Sequence, residues 1–190
     1  MSKINAIVIP GLGGKYHLYE LACRSWPRHN LNPVVFPINW EDSESYEDKV
    51  KRLNTLIEKL SIEDKPIIIV GISAGASAAL NAFARYETIQ KVVLICGFMN
   101  ISFMNQEMMG KRSRAFVDSV RELNAILPKL TDKQKNNILS LTSYNDLVVS
   151  DKAAHIDGVA HQKIRAHGHI LGIAVALLFY AKTIRQASSS

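Results

Sequence analysis

The 190-residue sequence predicts an α/β fold, a three-layer α/β/α sandwich around a mostly parallel six-stranded sheet. Three observations carry this. Short apolar, β-rich runs alternate along the chain with stretches of helical period, the pattern of strands joined by crossover helices. The inner runs, Ile67–Gly71 above all, are continuously apolar and bounded by turn residues, as strands buried on both faces are. Composition is near the globular average, 47% hydrophobic and 21% charged, and the length suits one domain over residues 1–190.

The elements follow in order. Ile4–Pro10 is an apolar strand that stops at Pro-Gly, and Lys15–His29 carries Tyr16, Tyr19, Leu21 and Trp26 at helical spacing. Pro33–Asn39 is a second strand. Ser43 then offers an N-cap, with Glu44, Glu47 and Asp48 where a helix dipole favours acid. Tyr46, Val50, Leu53, Ile57 and Leu60 mark one apolar helix face. Four consecutive β-branched residues and a glycine form the strand Ile67–Gly71, and the Ala-rich stretch Ala74–Tyr86 is helical. Lys91–Gly97 is the next buried strand. Within the interlude Met99–Lys129, Phe116, Val120, Leu123 and Leu127 mark a helix. Ile138–Ser143 and Val159–Ala166 are the last strands, and Ile170–Arg185 is the closing helix. The final Ala187–Ser190 reads as a frayed tail. No internal repeat or low-complexity linker is visible.

Net charge is +6, from 23 Lys and Arg against 17 Asp and Glu. The densest basic patch, Lys111, Arg112 and Arg114, reads as a solvated helix start. No basic stripe interleaved with aromatics is present, so no nucleic-acid partner is expected. Two cysteines, Cys23 and Cys96, make no disulfide framework, and a reduced compartment is expected. The first apolar run is too short for a signal-peptide core, and Ile170–Ala181 is far short of a membrane span, so the expected location is cytoplasmic.

The most informative segment is Gly71-Ile72-Ser73-Ala74-Gly75, a G-x-S-x-G with a buried strand before it and an Ala-rich helix after it. A strand that turns abruptly into a helix forces the turn residue to positive φ and leaves its side chain exposed above the sheet. Glycines flank it because a Cβ there would collide with the neighbouring chain. Ser73 in this setting is a candidate nucleophile. The N–H of Ala74, at the helix N-terminus, is placed to hold an oxyanion.

On these residues the chain resembles the α/β-hydrolase superfamily from Ile4 to about Arg185. It looks like a small member without the usual first two strands, similar in size to the compact serine hydrolases of the retinoblastoma-binding-protein-9/YdeN type. The resemblance implies strand order 2-1-3-4-5-6 and the chain order Ser, acid, His. Asp146, just past strand Ile138–Ser143, matches the family's acid, with Asp151 and Asp157 as rivals. Gly168-His169, past strand Val159–Ala166, matches its Gly-His signature, with His167 as the rival. His17, His29, His155 and His161 have no such context. Pro10-Gly11-Leu12-Gly13-Gly14 resembles the family's His-Gly-x-Gly-Gly loop with Pro10 in place of His, so by match Leu12 supplies the second oxyanion N–H. As a phosphate loop it lacks the final glycine of G-x-G-x-x-G.

In such folds the insertion after the strand containing Cys96 commonly forms a lid, which would span about 98–137 here. Its start holds four of the five methionines, a soft apolar surface. Gly11, Met99, Phe103 and Met104 are therefore expected to bind substrate. The expected activity is that of a serine carboxylesterase on small or medium apolar acyl esters, acting on a small-molecule substrate through Ser73, Asp146 and His169. No cofactor and no metal are expected. Thioesters, amides and peptides share the chemistry. A cofactor-free lyase or haloperoxidase, or a non-catalytic binding protein on the same fold, stays open.

Overall fold

The computed structural model describes residues 3–13 and 16–186. Six strands form one sheet: β1 (Ile4–Ile9), β2 (Leu31–Val35), β3 (Ile67–Ile72), β4 (Ile89–Ile95), β5 (Ile138–Tyr144) and β6 (Ala160–His167). Every pairing is parallel and the order is β2-β1-β3-β4-β5-β6. Pro33 sits in the edge strand β2, where a missing backbone N–H costs least. β1 and β3 are buried at every residue.

Side chains alternate across a strand, so β1 and β3 feed two separate apolar layers. Ile7, Ile9, Ile67 and Ile69 meet helices α2 (Tyr46–Ser61), α3 (Gly75–Arg85) and α5 (Arg114–Ile126). Ala6, Val8, Ile68, Val70 and Ile72 meet the opposite layer of α1 (Tyr16–Ala22), the 3-10 turn Cys23–His29, α8 (His169–Phe179) and α9 (Ala181–Gln186). The closing helix predicted over Ile170–Arg185 is thus two helices, broken at Tyr180. The carbonyls of the last turn of α8 have few partners in the helix itself, and buried Trp26 donates its indole N–H to one of them, Leu177, at 2.7 Å.

Three sequence readings need correction. The N-cap of α2 is Ser45, whose hydroxyl accepts from the Asp48 N–H at 3.1 Å, not Ser43. The segment before it folds back instead, because Asp42 and Glu44 pair with the buried Lys49 ammonium at 2.5 and 3.0 Å. Lys111 and Arg112 end helix α4 (Gln106–Arg112), where the dipole favours cations, and only Arg114 begins a helix. Much of the stretch 98–137 packs as core. Ala115, Phe116, Val120 and Leu123 of α5 are buried, the Ser119 and Ser77 hydroxyls lie 2.6 Å apart, and Asn81 donates to the Ser119 carbonyl. The tail Ala187–Ser190 lies outside the described residues.

Candidate active site

Ser73 stands between β3 and α3 with φ of +51°, a left-handed conformation that costs a non-glycine residue roughly 1–3 kcal/mol. Three hydrogen bonds hold it there. Its N–H donates to the Ile95 carbonyl at 2.9 Å, and its carbonyl accepts from Ala76 and Phe98 at 3.1 and 3.2 Å. The flanking glycines permit the turn: a Cβ on Gly71 would lie 2.6 Å from Ala76 Cα, and one on Gly75 would run into the Ile9 carbonyl oxygen. Gly11 belongs to the same close packing, since a Cβ there would sit 2.9 Å from Ser73 Cβ. The loop after β1 therefore lies directly against the serine, with Leu12 next in line. Gly14 of that loop lies outside the described residues.

Two further strand ends converge on Ser73. Past β5, Asp146 Oδ1 accepts from the Val148 and Val149 N–H groups at 2.9 and 2.8 Å. Past β6, Gly168 takes a positive φ of +81° and donates to the Tyr144 carbonyl, and His169 opens α8. His169 Nδ1 lies 2.8 Å from Asp146 Oδ2, and Nε2 lies 2.9 Å from Ser73 Oγ. An ionised carboxylate only accepts, so Nδ1 carries the ring proton and Nε2 offers its lone pair to the serine hydroxyl. Burial alone would raise the Asp146 carboxyl. The Val149 N–H, His169 and the Val148 N–H outweigh it and hold the carboxyl below its ordinary range.

The rival residues lie elsewhere. Asp151 pairs with Lys163 at 2.5 Å, and exposed Asp157 with His155 at 3.0 Å. His167 is exposed, its ring beside Tyr144 and Asn145. Among the described residues one group is spaced as metal ligands are: Cys96, Asp146 and His169, with their atoms within 4.8 Å. A metal there would have to displace the bond between Asp146 and His169. It would also need the Cys96 thiolate, whose thiol burial pushes up to about 11.

A cleft of about 610 Å³ opens over Ser73 and His169. One wall is α1, through Leu18, Tyr19 and Ala22, and the other is α8, through Ile170, Ile173, Ala174 and Leu177. Gly11, Leu12 and Gly13 form its floor beside the serine, and Val148 and Arg112 complete it. Of the four expected substrate contacts only Gly11 lines it. Met99 is fully buried, packed on Gly97 with its N–H on the Ala153 carbonyl. Met104 packs against the core, and Phe103 is half-exposed and does not line the cleft. The residues missed are those of α1 and α8. Their signal was the run Ile170–Ala181, a helix too apolar to rest one face on the sheet and show the others to water.

No family model and no curated protein sequence matches the chain. Solved structures do. A structure described under LipS and LipT, two metagenome-derived lipolytic enzymes, matches with a TM-score of 0.74 at 12% identity, over 97% of this chain and 94% of that one. The esterase domain of a Rhodothermus marinus protein matches at 0.68 and 13% identity, over 98% of this chain and 87% of its own. The ydeN gene product of B. subtilis matches at 0.66 and 12% identity, with both chains covered in full. No helix among the described residues is long and apolar enough to cross a membrane. With its all-parallel sheet in the order 2-1-3-4-5-6, the chain has the α/β-hydrolase fold.

Proposed function

We propose that the protein is a serine hydrolase, a carboxylesterase for esters of small or medium apolar acyl groups. The observation that carries this is the chain of hydrogen bonds from Asp146 through His169 to Ser73, opening into a largely apolar cleft. His169 Nε2 takes the proton of Ser73 Oγ as that oxygen attacks the ester carbonyl. The tetrahedral oxyanion is held by the N–H groups of Leu12 and Ala74. Collapse expels the alcohol, which leaves with the proton from His169. Water, deprotonated by the same imidazole, then cleaves the acyl-enzyme. Asp146 keeps the ring in the reactive tautomer and steadies the imidazolium. The steps need no group beyond these and water.

Thioesters and amides would follow the same path; the alcohol of an ester is easier to expel than the amine of an amide, and the thiol of a thioester is easier still. The test is labelling by a fluorophosphonate together with hydrolysis of p-nitrophenyl esters of rising chain length. The intact protein should label and turn over, while Ser73→Ala should do neither above a residual background. A folded protein that stays unlabelled beside a labelled control esterase would mark a binding protein that kept the fold.

A further inference from the structure

Arg112 stands apart on the cleft. Among the described residues that line the cleft it is the one permanently charged side chain, and its neighbours there are mostly apolar. A chain of contacts sets its position. Ser113, next in sequence and buried, donates its hydroxyl to the Trp40 carbonyl. The Trp40 indole N–H donates to the Pro10 carbonyl at 2.9 Å, immediately before Gly11 and Leu12. Glu41, next after Trp40, accepts from Arg112 Nε at 2.6 Å. Trp40 and Glu41 thus tie the loop beside Ser73 and the guanidinium into one frame.

Glu41 engages only Nε, and the two terminal nitrogens of Arg112 have no hydrogen-bond partner among the described residues. A guanidinium presents its remaining N–H groups in a plane that matches a carboxylate or phosphate. The side chain is 57% exposed, so an anion meeting it keeps part of its hydration. An anion pushed between α1 and α8 would lose its water and find no cationic partner among the described residues there. Charge therefore belongs on the part of the substrate that leaves toward solvent, and the apolar part belongs between the helices.

We propose that Arg112 selects substrates whose leaving group carries a carboxylate or phosphate. The natural substrate class is then an apolar acyl ester or thioester of an anionic alcohol or thiol. This rests on the hydrolase reading and adds a specificity residue to it.

The test uses three butanoate esters of one nitrophenol, carrying a carboxylate, a phosphate or a neutral carboxamide on the leaving group. The better anionic ester should exceed the carboxamide in kcat/KM by about tenfold, and which anion it is names the source. Arg112→Gln should bring that ratio to unity and Arg112→Glu should reverse it. The ratio is read because loss of folded enzyme cancels from it. A wild-type ratio of unity, or one that survives Arg112→Gln, overturns the proposal and leaves the hydrolase reading intact. Absence of turnover on all three esters, with no labelling of Ser73, removes the hydrolase reading and this proposal with it.

Discussion

Gly11→Ala tests the proposed oxyanion loop without replacing a side chain of the site. The added methyl would lie 2.9 Å from Ser73 Cβ and 3.1 Å from the Ile72 carbonyl oxygen. Carbon atoms rest at about 3.5–4.0 Å, so one side must retreat by roughly 0.6 Å or more. Ser73 cannot be that side cheaply, because three backbone hydrogen bonds pin it at positive φ. The loop must move, and it carries the Leu12 N–H. A donor works only about 2.7–3.1 Å from the oxyanion, and losing one costs about 10²–10³ in turnover, some 2.7–4 kcal/mol of transition-state binding. We expect kcat on p-nitrophenyl butanoate to fall by that factor, against an overpacking cost of about 1–3 kcal/mol in stability. Steady-state kinetics and a thermal melt on the same preparation separate the two. A kcat within a few-fold of wild type would refute the assignment of the Leu12 N–H as donor.

Asp146→Asn should lower kcat by about 10⁴, since an amide can hold the imidazole in the wrong tautomer. The same variant carries a stability prediction. The hydrogen bonds to Asp146 depress its carboxyl, so its contribution is complete above the unfolded value of about 4 and fades as pH falls through the lowered folded value. The Tm advantage of wild type over Asp146→Asn should therefore narrow below about pH 4, and a gap that stays constant there would contradict it. Gly75→Ala should lower the denaturation midpoint by an amount equivalent to about 1–3 kcal/mol, because the obstacle is the backbone of Ile9 and Pro10 and cannot swing aside. Ala174→Phe, which fills the cleft from α8, should shift ester preference toward shorter chains. Phe103→Ala should leave the preference as it is, and a shift there would restore the methionine-rich stretch as the acyl site.

How far the sequence could be read follows from the range of the forces involved. β1 and β3 show plainly because strands buried on both faces must be apolar throughout. The elbow at Ser73 shows because its glycines answer to clashes within a few residues and with one neighbouring strand. The cap of α2 was misplaced by two residues because Asp42 and Glu44 are claimed by Lys49, an ion pair invisible to propensity. The cleft wall was misplaced for a longer-range reason. Whether the segment after β4 covers the serine or lies along the sheet depends on α5 docking on α3, through Ser119, Ser77 and Asn81. None of those polar residues advertises a core role in sequence.

The position of α8 joins the chemistry to the choice of substrate. Its first residue is His169, and the turns that follow present Ile170, Ile173, Ala174 and Leu177 to the cleft. Trp26 ties the end of the helix to the neighbouring 3-10 turn Cys23–His29 of the same layer, and Gly168 ties its start to the end of β5. His169 and the apolar wall are therefore one body held at both ends, so a substrate seated on the wall would be seated relative to Nε2. The surface nearby agrees with this use. Leu18 and Leu21 on α1, Leu147 beside Asp146, and Ile170 and Leu171 on α8 are all exposed. Single exposed leucines need no explanation, but a concentration of them on the three segments around one cleft does. Folding gains nothing from that apolar surface. Under the proposed function it gains a reason: an apolar acyl group covering it would lie along the helix whose first side chain would take the proton from Ser73.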